Sequence, residues 1–234
     1  MSFFQFKQFA IKQDECAMKV GTDGVLLGAW AKAVKGNVLD VGCGTGLLAL
    51  MMAQRETELF VDAIDVEESA YLQSIENVSL SKWGDNINVF HTTLQTFKTE
   101  KQYHHIISNP PFFVKSYKAP DKARATARHT DGLPFEELII YTKRLLKKEG
   151  LFSLVLPIVE GNQFIQLALV HGLYLNRKCE VFPNNTKPSK RLLLEFSFFE
   201  KKLIEEKLTI ETDVRHQYTK EYISLTQDFY LYDR

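Results

Sequence analysis

Residues 37 to 46 read NVLDVGCGTG, and LLALMMAQR follows at 47 to 55. A short β-branched run ends in alternating glycines, and a helical pattern begins at once. Glycines here permit positive φ and let a ligand approach bare backbone. The helix start behind them offers unpaired N–H groups that favour a carboxylate or phosphate. The spacing narrows the choice. A dinucleotide fingerprint starting at Gly42 needs glycine at 47, where Leu47 stands, and no Gly-Lys-Ser/Thr completes a P-loop.

The same rhythm continues downstream. LFVDAID (59–65), NINVF (86–90), HHIISN (104–109) and LFSLVLP (151–157) read as strands. EESAYLQSIENVSLSK (67–82), FEELIIYTKRLLKK (135–148) and NQFIQLALVHG (162–172) read as helices, the last closed by Gly172. Strands alternating with helices predict a mostly parallel, doubly wound α/β sheet of Rossmann-like form. LYLNRKCEVF (173–182), RLLLEFSFF (191–199) and KLTIET (207–212) are strands with no helix between the last two, so an antiparallel C-terminal hairpin edge is expected. Upstream, FFQFKQFAI (3–11) reads as a strand or hairpin arm. TDGVLLGAWA (22–31) reads as a short helix capped by Thr22, and its Gly24, Gly28 and Ala29 call for a close neighbour. One Rossmann-like domain over 37–234 with an N-terminal extension over 1–36 is the expected organisation.

Composition bounds the function. Hydrophobic residues at 45% and charged residues at 25% fit an ordinary globular core. The 29 Lys+Arg balance 29 Asp+Glu, so a polyanion partner requires a local basic patch. The longest apolar runs are too short to span a bilayer, and the start has no secretory h-region. Cys16, Cys43 and Cys179 are odd in number and lack a CxxC, which predicts a reducing cytoplasm and no metal site. Nothing in the sequence calls for more than a monomer.

The acid-x-Gly-x-Gly-x-Gly pattern of Asp40, Gly42, Gly44 and Gly46 resembles the loop of S-adenosylmethionine-dependent methyltransferases. Asp65 ends the second strand roughly twenty residues on, where an acid accepts hydrogen bonds from a ribose. Asp62 on the same strand is the weaker candidate for reading the ribose, and its bland reading is a solvated strand residue. Thr93 follows the third strand, where many methyltransferases carry an Asp that meets the adenine amino group. Its hydroxyl or a backbone carbonyl is expected to replace that acid.

A second stretch, ISNPPFF (107–113), ends the fourth strand. Two prolines remove two backbone donors, and the residue before each is pushed into extended backbone. Ligands in doubly wound sheets sit at the strand tips flanking the switch point, which for this fold are the tips carrying the glycine loop and Asn109. The motif matches the [Asp/Asn]-Pro-Pro-aromatic signature of enzymes that methylate amino or amide nitrogens. The resemblance implies that the Asn109 side-chain oxygen and the Pro110 carbonyl accept from the two N–H bonds of an exocyclic amine. Phe112 supplies a stacking face worth roughly 1–3 kcal/mol. A sulfonium methyl is already activated, so neither a metal nor a strong general base is required, and positioning supplies much of the acceleration.

The block FKQFAIKQDECAMKVGTDGVLLGAWA (6–31) carries a closer likeness. With LLALMMAQR, IISNPP, VLP and the tail SLTQDFYLY, it resembles the bacterial tRNA(Val) adenine-N6-methyltransferases, which modify the adenine at tRNA position 37. The likeness covers nearly the whole chain. That family usually has tyrosine where Phe112 stands, and phenylalanine also appears there in guanine-N2 rRNA methyltransferases. The resemblance implies that Lys19, Thr22 and Asp23 lie near the cofactor and that the extension packs over it. A guanine-N2 rRNA acceptor, a protein glutamine amide, and a silent RNA-binding module of the same fold stay open as alternatives. Two basic runs suit RNA phosphates. One holds Lys115, Lys118, Lys122, Arg124 and Arg128; the other holds Lys187, Lys190 and Arg191. His104 and His105 are read as structural.

Overall fold

The structure, a computed structural model, describes residues 3–16, 19–111 and 133–232. Ten strands and six helices follow one another among them. The first two strands, β1 (Phe3–Gln5) and β2 (Ala10–Lys12), pair antiparallel as a small hairpin. The helix α1 (Thr22–Trp30) precedes the first strand of the main sheet, β3 (Gly36–Val41). Then come α2 (Leu47–Arg55), β4 (Leu59–Asp65), α3 (Glu68–Ser79), β5 (Ile87–His91) and β6 (Tyr103–Ser108). The second half runs α4 (Phe135–Leu145), β7 (Leu146–Pro157), α5 (Ile158–Val170), β8 (Tyr174–Phe182), β9 (Arg191–Ser197), β10 (Ile204–Thr209) and α6 (Lys220–Thr226).

The main sheet has eight strands in the order β10-β8-β9-β7-β6-β3-β4-β5. From β7 through β6, β3 and β4 to β5 every pairing is parallel. The winding reverses between β3 and β6, so their carboxyl ends flank the switch point of a Rossmann-like sheet. The antiparallel hairpin is β8–β9, and β9 slots between β7 and β8 rather than lying outermost. The outer strand is β10, parallel to β8. The hairpin's own turn fixes only that β8 and β9 pair; which strand lies inside depends on β9 pairing with β7, far away in sequence.

Both sheet faces are covered, and the alternation along each strand sorts the side chains. Val38, Ile107, Val155 and Leu193 join the core beneath α1, α2, the β1–β2 hairpin and the C-terminal tail. Leu39, Ile106, Leu154 and Leu194 join the opposite core beneath α4 and α5. The close neighbour called for by the small residues of α1 is α2. A Cβ added at Gly28 would lie 2.6 Å from Met51 Sδ. The residue that caps α1 is Gly21, with no side-chain cap, and Thr22 is the first helical residue. Gly172 sits at positive φ past α5, and the N–H groups of Gly172 and Leu173 donate to Leu169 and Ala168.

Asp62 is buried, not solvated. It accepts from Lys101 Nζ at 2.8 Å and Tyr103 Oη at 2.7 Å, two partners about forty residues away that satisfy its charge inside the fold. His104 and His105 are structural: His104 accepts the Asn37 N–H, and His105 bonds the Lys32 carbonyl and Ser153 Oγ. Among the described residues no helix is long and apolar enough to cross a membrane, and no cluster of His, Cys, Asp and Glu fits a metal ion.

Candidate active site

The strand tips are brought together by register. Val41 faces Ser108 across the β3–β6 pair, and Ser108 Oγ donates to the Val41 carbonyl at 2.8 Å. The next residues in each chain are Gly42 and Asn109. Thus the glycine loop and the Asn-Pro-Pro segment begin side by side at the switch point.

The loop is held open from behind. Gly42, Gly44 and Gly46 all have positive φ. The N–H groups of Gly42 and Cys43 both donate to the Ile64 carbonyl on β4. Gly44 N–H donates to Asp65 Oδ2 at 2.8 Å, while Glu67 N–H donates to Asp65 Oδ1 at 3.0 Å. A Cβ at Gly46 would meet Ser74 Oγ at 2.6 Å, so that glycine serves packing. At Gly42 and Gly44 a Cβ would meet nothing within 4 Å, so these two face open space. Asn77 ties the loop to the N-terminal hairpin, since its Nδ2 donates to the carbonyls of Thr45 and Lys12.

Two buried oxygens at the tips lack partners among the described residues: Asp40 Oδ1 and Asn109 Oδ1. Asp40 Oδ2 accepts from the Ala49 N–H in the first turn of α2. Burial pushes the Asp40 carboxyl up to about 8, the Ala49 N–H opposes this, and the nearby Asp65 adds to it. Unsatisfied buried acceptors are costly and call for a donor. Together with the bare backbone at Gly42 and Gly44, they make a cradle that fits a polar, hydrogen-bonding ligand.

The first turn of α1 lies near Asn109 and the start of α2. A Cβ at Gly24 would stand 3.1 Å from Leu47 Cδ2 and 3.8 Å from Asn109 Nδ2. Thr22 and Lys19 are exposed. Asp23 pairs with Arg191, whose Nε donates to Asp23 Oδ2 at 2.6 Å. The resemblance places Asp23 near the cofactor and the basic run suits Arg191 to RNA phosphates, and nothing in their local sequence signals a partner 168 positions away.

At the tip of β5, Thr92 N–H donates to the Asp65 carbonyl. The Thr93 hydroxyl shares a 2.7 Å hydrogen bond with Thr96 Oγ1 and accepts the Thr96 N–H, leaving one hydrogen-bonding position on it. Pro110 is buried. Phe112, Lys115, Lys118, Lys122, Arg124 and Arg128 lie outside the described residues. Arg191 faces Pro157 at the carboxyl end of β7, so the 184–191 run shares the edge that carries the cradle. Lys187 and Lys190 are exposed on it. The three cysteines are free and buried, and burial raises each thiol, Cys16 to about 11 and Cys179 to about 12. None offers a thiolate nucleophile near neutral pH.

The family model described as methyltransferase small domain matches residues 18–158. The tRNA1(Val) (adenine(37)-N6)-methyltransferase of Pseudoalteromonas translucida is 45% identical over 232 residues, covering 99% of each chain. The protein of the same name from Christiangramia forsetii is 44% identical over 234 residues, covering 97% of each. Among solved structures, a predicted O-methyltransferase of Agrobacterium tumefaciens aligns with TM-score 0.68 and 17% identity, over 88% of this chain and 96% of that one. TYW2 of P. horikoshii in complex with MeSAdo aligns with TM-score 0.57 and 14% identity, over 83% of this chain and 70% of that one. Likeness at such identities concerns the fold alone.

Proposed function

Because this chain belongs to the methyltransferase small domain family and, within it, to the tRNA1(Val) (adenine(37)-N6)-methyltransferases, we propose that it methylates N6 of adenine 37 in a valine tRNA, using S-adenosylmethionine. The observation that carries this reading is the adjacency of Asn109, with its unpartnered buried oxygen, to the open glycine loop.

When bound, S-adenosylmethionine supplies a methyl group on a positively charged sulfur, already activated for attack. Residues of this chain suit it. Gly42 and Gly44 admit it to the backbone, with Gly46 shaping the turn. Asp40 offers its unpartnered Oδ1 to a donor. Asp65 keeps lone pairs beyond those taken by Gly44 and Glu67, enough to accept from ribose hydroxyls. Thr93 offers its remaining hydrogen-bonding position at the adenine end. Lys19, Thr22 and Asp23 belong to the segment that covers the cofactor, and residues 1–36 act as its lid-side extension.

On the acceptor side, the Asn109 side-chain oxygen and the Pro110 carbonyl accept from the two N–H bonds of the adenine amine. That lone pair is delocalised into the ring and attacks poorly. Holding both N–H bonds favours the pyramidal nitrogen and offsets the positive charge that grows on it. Neither group is a base, so the surplus proton passes to water. Phe112 stacks on the base. Lys187 and Lys190, with Lys115, Lys118, Lys122, Arg124 and Arg128, contact phosphates and position the RNA without reading its sequence.

The test is transfer of labelled methyl from S-adenosylmethionine to purified unmodified tRNAs, rRNA and protein, with the product nucleoside identified. N6-methyladenosine at position 37 of a valine tRNA is the expected product. Label only in rRNA as a methylated guanine, or only in protein, overturns the substrate. RNA binding with no label overturns the activity.

A further inference from the structure

Two residues expected to serve different ligands form one ion pair. Asp23 stands in the first turn of α1, and Arg191 opens β9. Arg191 Nε donates to Asp23 Oδ2 at 2.6 Å. The guanidinium is also tied to the basic run, since Arg191 Nη1 donates to the Lys190 carbonyl and Lys190 N–H donates to the Val181 carbonyl. One residue beyond Asp23, Gly24 lies near Asn109 and Leu47: a Cβ added there would stand 3.8 Å from Asn109 Nδ2 and 3.1 Å from Leu47 Cδ2. Asn109 Oδ1 makes no hydrogen bond among the described residues, so no partner of that oxygen fixes the amide and the nearby turn of α1 bounds the space it has. A line of neighbours thus runs from the 184–191 run through Arg191, Asp23 and Gly24 to the amide at the tip of β6.

We infer that the Asp23–Arg191 pair is a latch that positions α1 against Asn109, and that Arg191 serves turnover through Asp23 rather than RNA affinity through a phosphate. Three physical points carry this. An arginine held by a carboxylate in a short charge-assisted bond is neutralised where it stands and attracts phosphate less. The side chains remain 30% and 24% exposed, so the pair adds little to global stability and its effect falls on local geometry. Small displacements of a group that clamps a reacting atom are costly to rate even when binding survives. In this role both residues are positioning residues. The inference rests on the methyltransferase reading above.

The test uses the full chain with unmodified tRNA and S-adenosylmethionine, comparing Asp23→Asn, Arg191→Gln, Arg191→Lys and the charge reversal Asp23→Arg/Arg191→Asp. Each neutralising variant is expected to lower kcat about tenfold. KM for tRNA and the slope of log KM against log salt should stay as in the wild type. The reversal should recover most of the lost kcat. If Arg191→Gln instead raises KM and reduces the salt slope by about one, while Asp23→Asn is near neutral, Arg191 is a phosphate contact and the latch is wrong. A folded reversal that recovers nothing also overturns it. Should the reversal fail to fold, Arg191→Lys decides. It keeps the charge and can keep the pair, so a kcat above that of Arg191→Gln at unchanged KM supports the latch, and a kcat equal to that of Arg191→Gln removes it. A wild type that methylates no tRNA overturns the function before any variant is compared, whereas an active wild type with unresponsive variants overturns the latch alone.

Discussion

Ser108 donates its hydroxyl to the carbonyl of Val41 at 2.8 Å while facing it in register. A side chain here closes the last rung of the β3–β6 ladder, so the residues that follow leave the sheet from a fixed origin. Asn109 therefore starts beside Gly42, and the two proline-restricted peptides after it are aimed rather than loose. The separation of the glycine loop from Asn109 is set in the sheet and not by the loops.

Replacing Asn109 by Ala should remove one of two acceptors on the amine. We expect kcat to fall about a hundredfold or more, with cofactor affinity nearly unchanged. Labelled-methyl transfer and calorimetric titration with S-adenosylmethionine read the two separately. Equal losses in both would make Asn109 a structural residue.

The glycines should divide by what a Cβ meets. Gly42→Ala and Gly44→Ala keep the loop but project a methyl into the open cradle, at a left-handed φ that costs roughly 1–2 kcal/mol. Cofactor affinity should fall further than stability does. Gly46→Ala collides with Ser74 Oγ as well, so its loss should appear mainly in the urea midpoint. Equal behaviour of all three would contradict the open cradle.

Asp40 carries a pH signature. Its carboxyl rises from an ordinary 3.8 to about 8, chiefly through burial. The native state then binds more protons than the unfolded chain between those values, so this contribution to stability is full below about pH 4 and is lost as pH rises through about 8. His105 works oppositely. Burial lowers it from 6.5 to about 4, so its contribution is present above 6.5 and lost as pH falls toward 4. From pH 6.5 to 8 only Asp40 acts of these two. Ligand-free wild type should lose stability relative to Asp40→Asn by on the order of 1 kcal/mol per pH unit there. Urea unfolding of both proteins at several pH values measures it; parallel curves would refute a protonated Asp40.

RNA affinity should fall steeply with salt. Lys187→Gln and Lys190→Gln should each weaken tRNA binding and reduce the salt slope by about one, without changing cofactor affinity. Filter binding across a salt series gives the slope, and a flat response in the wild type would count against phosphate contacts on this edge.

Much of this was legible locally. LLALMMAQR is α2 residue for residue, because a glycine turn starts it and an unbroken apolar run, buried from Leu47 to Ala53, sustains it. The tips carrying Asp40, Asp65 and Asn109 follow from alternation of strands and helices. What escaped depends on distant partners. Asp62 reads as solvated until Lys101 and Tyr103 fold over it. Arg191 reads as free basic surface until α1 brings Asp23 to it. The seat of β9 between β7 and β8 is a pairing choice no window of sequence contains. Gly21 takes the cap position that Thr22 seemed to claim because the chain turns into α1 one residue earlier.

The hairpin that Asn77 ties to the glycine loop is itself clasped by the far end of the chain. Lys7 N–H donates to the Phe229 carbonyl, and the Phe6 and Tyr230 rings stack at 5.8 Å. During synthesis, these two contacts form only after residues 229 and 230 have left the ribosome. A nascent chain that has already made both strand tips still lacks them, and contacts of such long sequence separation are slow to form. The hairpin behind Thr45 is thus completed later than the tips it supports.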